Sequence, residues 1–148
     1  TLIELIVVIV VIGILVAIAL PNFIAAQDRA KISSVKANAH TMQTILETYA
    51  VDWGGQYGST LANNQTEATA KSYWKDYKNP FDTSFLANED ENATINVTTG
   101  AGTTFAAGAV LVNLGTVAPY TKYFLYGGSK TANTAIVDKG SAFYLSNS

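Results

Sequence analysis

The sequence contains no cysteine, and only one histidine and one methionine. The missing cysteine excludes disulfides, thiolate zinc sites and cysteine nucleophiles together. A single histidine, His40, leaves little material for a metal centre. Charge is also scarce, at 14% of residues, and no basic patch stands out. Residues 1–53 carry four acids and three bases, and residues 54–148 carry seven acids and six bases, which accounts for the net charge of −2. The electrostatic footprint of a nucleic-acid binder is therefore missing, and no sequence-specific nucleic-acid partner is expected. No serine–histidine–acid arrangement, phosphate-binding glycine loop or metal-ligand spacing can be defended. The chain reads as a non-enzyme without a cofactor.

What is present is unevenly spread. The length of 148 residues suits one ordinary domain. Leu5 to Leu20 holds only Ile, Val, Leu, Ala and one Gly, and no charge falls between Glu4 and Asp28. The run has no basic flank before it and no small-residue cleavage pattern after it, so it is a poor secretory signal. As a helix, Leu5 to Gln27 would span ~34 Å, enough to cross a bilayer core. Glu4 does not fit a plain membrane anchor. A carboxylate in the bilayer core costs on the order of 3 kcal/mol and usually has a partner. The nearest fixed positive charge is a chain N-terminus, its own or that of a neighbouring copy. In a staggered bundle of identical helices, one axial offset would pair each Glu4 with the next amine, which gives a register rule. A carboxylate at this position also suits the positive end of its own helix dipole.

The segment Thr1-Leu2-Ile3-Glu4-Leu5-Ile6-Val7-Val8-Ile9-Val10-Val11-Ile12-Gly13-Ile14-Leu15-Val16-Ala17-Ile18-Ala19-Leu20-Pro21 closely resembles the N-terminus of mature type IV pilins and type II secretion pseudopilins. The resemblance covers about the first quarter of the chain. It implies that Glu4 aligns incoming subunits, with Thr1 beside it. It also implies that Gly13 and Pro21 are the helix-weakening pair, a role that their physics suits. In this family an N-methylated Phe, exposed by a prepilin peptidase, precedes the threonine; the resemblance implies such a residue before Thr1. The implied partners are further copies in a helical filament, an inner-membrane platform with its ATPase, and lipid before assembly. The implied location is an inner-membrane pool and then an extracellular filament.

The rest of the chain gives the fold class. Val35, Ala39, Met42, Leu46, Tyr49 and Trp53 recur at helical spacing, with Gly54-Gly55 as the stop. One helix of ~53 residues would be ~80 Å long. Its first half, residues 1–27, is apolar all round and needs other subunits or lipid. Its second half, 28–53, has one apolar face for a head domain over 28–148. Residues 54–105 read as a long irregular loop, with a short helical turn near Glu67 to Tyr73 and aromatic anchors from Tyr73 to Phe81. The segments Ala107 to Asn113, Thr121 to Tyr126, Ala132 to Asp138 and Ala142 to Leu145 read as short antiparallel strands within a 106–148 sheet. The expected fold is α+β: a long N-terminal helix on a small antiparallel sheet. With no disulfide, Phe143, Tyr144 and Leu145 are expected to hold the C-terminus by packing.

Three sequons make Asn64, Asn92 and Asn96 candidate glycosylation sites. Glu89, Asp90 and Glu91 are weak calcium candidates, since pseudopilins often carry calcium, but their spacing fits no EF-hand loop. The leading expectation is a major pilin-like structural subunit. The alternatives are a type II secretion pseudopilin and a membrane-anchored binding module that uses the Tyr73–Phe81 loop.

Overall fold

The computed structural model describes residues 1–82, 88–90, 107–114, 118–131, 134–138 and 141–147. The first helix, α1 (Leu2–Asp52), includes Pro21. The chain divides into two compact units, Thr1–Ala30 and Lys31–Ser148.

In the second unit α1 buries Val35, Ala39, Met42, Ile45, Leu46, Tyr49 and Ala50. This is the stripe expected from the spacing, widened by Ile45 and Ala50. Trp53 departs from it and remains 47% exposed. It lies one residue past the helix end and stacks on Tyr49, ring centroids 5.8 Å apart. The helix stops there because Gly54 and Gly55 take positive φ, and the Gly55 amide reaches back to the Ala50 carbonyl at 2.7 Å. That bond closes a Schellman-type cap, which favours glycine. On the polar side, Thr41, Thr44 and Thr48 satisfy their hydroxyls on carbonyls one turn back.

A second helix, α2 (Leu61–Ala70), occupies part of the stretch expected to be irregular. Its sequence is polar, but Thr60 caps it by accepting the Asn63 amide at 3.2 Å. Lys71 at its end pairs with Asp52 at 3.1 Å, which ties α2 to the end of α1.

The main sheet has the order β1 (Asn88–Asp90), β2 (Val110–Asn113), β3 (Phe124–Gly127), β6 (Tyr144–Ser146). The pairs β2–β3 and β3–β6 are antiparallel, as expected. β1 departs from the expected meander and joins β2 in parallel. A parallel pair needs a connection of a dozen or more residues, and the chain from 91 to 109 is long enough. β4 (Val137–Asp138) and β5 (Ser141–Ala142) form a separate hairpin. The expected strand from Ala142 to Leu145 is thus split at Phe143, whose amide goes to the Ile136 carbonyl at 2.6 Å.

Side chains alternate between the two faces of β2 and β3, and both faces are covered. Val110, Val112 and Leu125 join the stripe of α1 in one core, with Tyr57, Leu61, Leu114, Tyr123 and Ile136. Leu111 and Tyr126, cross-strand partners, form a second cluster with Phe124. The loop aromatics Tyr73, Trp74, Tyr77 and Phe81 are partly buried and pack against the main core. They anchor the loop to that core.

The start of β2 depends on one glycine. Gly108 has φ +78°, and a Cβ there would run into Asn79 Oδ1 and the Phe81 ring. Asn79 is fully buried; it accepts the Phe81 amide at 2.9 Å and donates to the Ala107 carbonyl at 2.6 Å. Gly108→Ala is expected to cost the second unit about 2–3 kcal/mol, combining backbone strain with the clash. Chemical unfolding followed by tryptophan fluorescence checks this; a loss under about 0.5 kcal/mol would contradict it.

Tyrosines make this unit sensitive to alkali. Tyr123 is buried and donates its hydroxyl to Glu47 Oε1 at 2.6 Å. Burial and then that hydrogen bond push its phenol well above the ordinary range. Burial likewise raises Tyr77, with Asp76 adding to it, and raises Tyr126, with Tyr144 adding to it. The unfolded chain gives up these protons near pH 10 while the folded chain keeps them. Stability is therefore full below about pH 10 and falls as pH climbs above it. Unfolding midpoints at pH 8 and 11 should show the fall, and Tyr123→Phe should make it shallower.

Candidate assembly surface

The first unit has no core of its own. Its apolar residues from Leu2 to Ile24 are all exposed, including Leu5 at 66%, Leu15 at 61% and Phe23 at 66%. The most apolar window of α1 has none of its residues buried, and α1 is long and apolar enough to cross a membrane. Burying one such side chain is worth roughly 1.5–3 kcal/mol, so a surface of this extent is not stable in water alone. It requires hydrocarbon or protein around it.

Why the segment is nonetheless helical follows from the backbone. In an apolar setting every amide must be satisfied within the segment, and a helix does that. The two residues expected to weaken it are both inside α1. Pro21 has no N–H, so the ladder loses one bond there. Gly13 has open space where a Cβ would stand, and it leaves a notch in an otherwise bulky surface. Near the end of the run Val16, Ala19, Leu20 and Phe23 line a shallow apolar recess.

Glu4 sits in the first turn of α1. Its carboxylate takes the Thr1 nitrogen of the same chain, and both groups are exposed. The two residues expected to set register are thus side by side at one end of the apolar surface. The carboxylate also lies where the helix dipole favours negative charge.

The remaining candidates fare differently. Asn64 is fully buried in α2. Its Oδ1 accepts the Gly58 amide at 2.9 Å, and its Nδ2 donates to the Thr60 carbonyl at 2.8 Å. Both ends of the amide of this candidate sugar acceptor are thus engaged within the folded unit. Sequence pattern alone missed it because the sequon carries no information about burial. Asn92, Asn96 and Glu91 lie outside the described residues. Glu89 and Asp90 fall in the edge strand β1. Among the described residues no cluster of three His, Cys, Asp or Glu is placed to hold a metal. His40 meets Phe143 edge-on, centroids 6.4 Å apart.

Two known proteins are similar to the chain. One is a type IV major pilin protein, PilA, of Myxococcus xanthus, 49% identical over 49 residues. That match covers 33% of this chain and only 22% of the Myxococcus protein, less than a quarter of its length. The other is the type IV narrow pilus major component PilA5 of Thermus thermophilus, 37% identical over 92 residues. It covers 61% of this chain and 79% of the Thermus protein. No family model matches the chain, and no solved structure matches it.

Proposed function

Because the chain belongs to the type IV pilin family, we propose that it is a structural, non-catalytic subunit of the major-pilin kind, building an extracellular helical filament. The observation that carries this reading is the wholly unburied apolar surface of the first unit, with an acid at its tip. Lipid covers that surface while subunits wait in the inner membrane, and other copies cover it in the filament. Hydrocarbon and packed helices are both apolar, so the exchange has little hydrophobic driving force. Side-chain packing and charge pairing must then supply specificity.

In this reading Glu4 sets the register of assembly. Glu4 turns to the N-terminus of a neighbouring copy, and only one axial offset pairs the charges. Gly13 and Pro21 weaken the helix between them, so this stretch can extend when the fibre is pulled. A prepilin peptidase prepares the subunit, and a platform protein with its ATPase inserts it.

Electron microscopy of sheared cell-surface material, with mass spectrometry of the fibre subunit, tests the proposal. Fibres made of this chain are the expected result. A short periplasmic filament would point to a secretion pseudopilin instead, and a stable monomer would overturn the filament reading altogether.

A further inference from the structure

A side-chain amide just past β6 ties it to the rest of the second unit. Asn147 Nδ2 donates to the Thr121 carbonyl at 2.8 Å and to the Tyr57 hydroxyl at 3.1 Å. Its Oδ1 accepts the Tyr123 amide at 3.2 Å. One residue just past β6 thus joins two segments that are far away in sequence. Those two segments are also tied to each other. The Tyr57 amide donates to the Tyr120 carbonyl at 2.8 Å, and the rings of Tyr57 and Tyr123 meet edge-on at 5.3 Å.

The strand that precedes Asn147 needs this help. Among the described residues β6 is the edge of the sheet, pairing with β3 on one side, and its register with β3 is three residues long. A short edge strand is the kind of element that opens locally at low free energy. These 148 residues contain no cysteine that could fasten β6 covalently. Asn suits the task because its side chain presents a donor and an acceptor together, which matches two carbonyl or hydroxyl oxygens and one amide.

We propose that Asn147 is a non-covalent clasp, and that its release lets residues 144–147 lift from β3 as one piece. The α1 stripe and α2 remain folded when this happens. The clasp opens and closes by thermal fluctuation, without redox chemistry. Its opening uncovers Tyr57, Tyr123 and the edge of β3 that pairs with β6. This inference concerns the second unit by itself and does not depend on filament formation.

Hydrogen exchange read by mass spectrometry on the full chain in detergent tests the clasp. Asn147→Ala removes three hydrogen bonds, of which each is worth about 1 kcal/mol net, and about 1.4 kcal/mol corresponds to tenfold. Exchange in 121–126 and 144–147 is therefore expected to rise at least about tenfold, with protection of 39–50 in α1 unchanged. Asn147→Asp keeps the acceptor for Tyr123 but loses the donors, and it should give an intermediate rise in the same segments. A uniform rise across residues 31–147 would overturn the proposal, because Asn147 would then be one more contributor to global stability. Unchanged exchange in both variants would overturn it as well.

Discussion

Glu4→Ala is expected to abolish surface filaments while leaving the second unit folded and the chain in the membrane. In an assembled filament the partner amine would be left buried and unpaired. Removing one member of a buried pair costs about 3–5 kcal/mol. That cost recurs at every subunit added. At about 1.4 kcal/mol per factor of ten, each addition becomes at least about a hundredfold less favourable. Membrane retention is unaffected because the apolar run from Leu5 to Leu20 is intact. The second unit stays folded because its core begins at Val35. Glu4→Gln separates charge from shape: it keeps the size and hydrogen-bonding capacity of the side chain and should still fail. Filament counts by electron microscopy, with membrane fractionation beside them, provide the check. Wild-type fibre numbers in either variant would refute the register role.

The second large effect falls on the head rather than on assembly. Leu46 is fully buried on the α1 stripe, in the core that it shares with Val112 and Leu125. Leu46→Ala is expected to lower unfolding stability by about 3 kcal/mol, through lost burial and the cavity left behind. That is a large share of the roughly 5–15 kcal/mol of a typical domain. A loss of that size also lowers the steady-state amount of the protein in cells several-fold. Denaturant titration followed by tryptophan fluorescence measures it, and a change under about 1 kcal/mol would show that the stripe is not the centre of the core. The two variants fail in distinguishable ways. Glu4→Ala gives folded protein without fibres, whereas Leu46→Ala gives less protein and fibres in proportion.

Much of the fold was legible because it rests on strong periodic signals. The apolar run, the acid at its tip and the 3–4 spacing from Val35 to Tyr49 each identify α1, and glycine marks its end. Trp53 was misplaced because the spacing continues one residue past the helix, into the cap, where a side chain no longer follows the helical face. α2 was hidden by its composition. Asn, Thr and Gln are weak helix formers in isolation, and three buried positions leave almost no periodic trace. The parallel pairing of β1 was unreadable because three polar residues carry no alternation, and the partner strand is distant in sequence. Asn64 and Asn147 were missed for a common reason. Each acts through a tertiary hydrogen-bond set, and an asparagine in a row of polar residues looks the same whether it faces solvent or fastens a loop. The expected role of Phe143, Tyr144 and Leu145 in holding the terminus was only half of it. Leu145 and Phe143 do pack on the core, but Tyr144 is exposed, and the side-chain amide of Asn147 supplies the rest of the closure.

A structure of the native filament at side-chain resolution tests the central claim most directly. The prediction is that Leu5 to Leu20 of each copy is enclosed by the same segment of its neighbours, with the Glu4 carboxylate within hydrogen-bonding distance of another copy's N-terminal nitrogen. Apolar segments left facing solvent or lipid, or a Glu4 enclosed with no positive group beside it, would contradict the account.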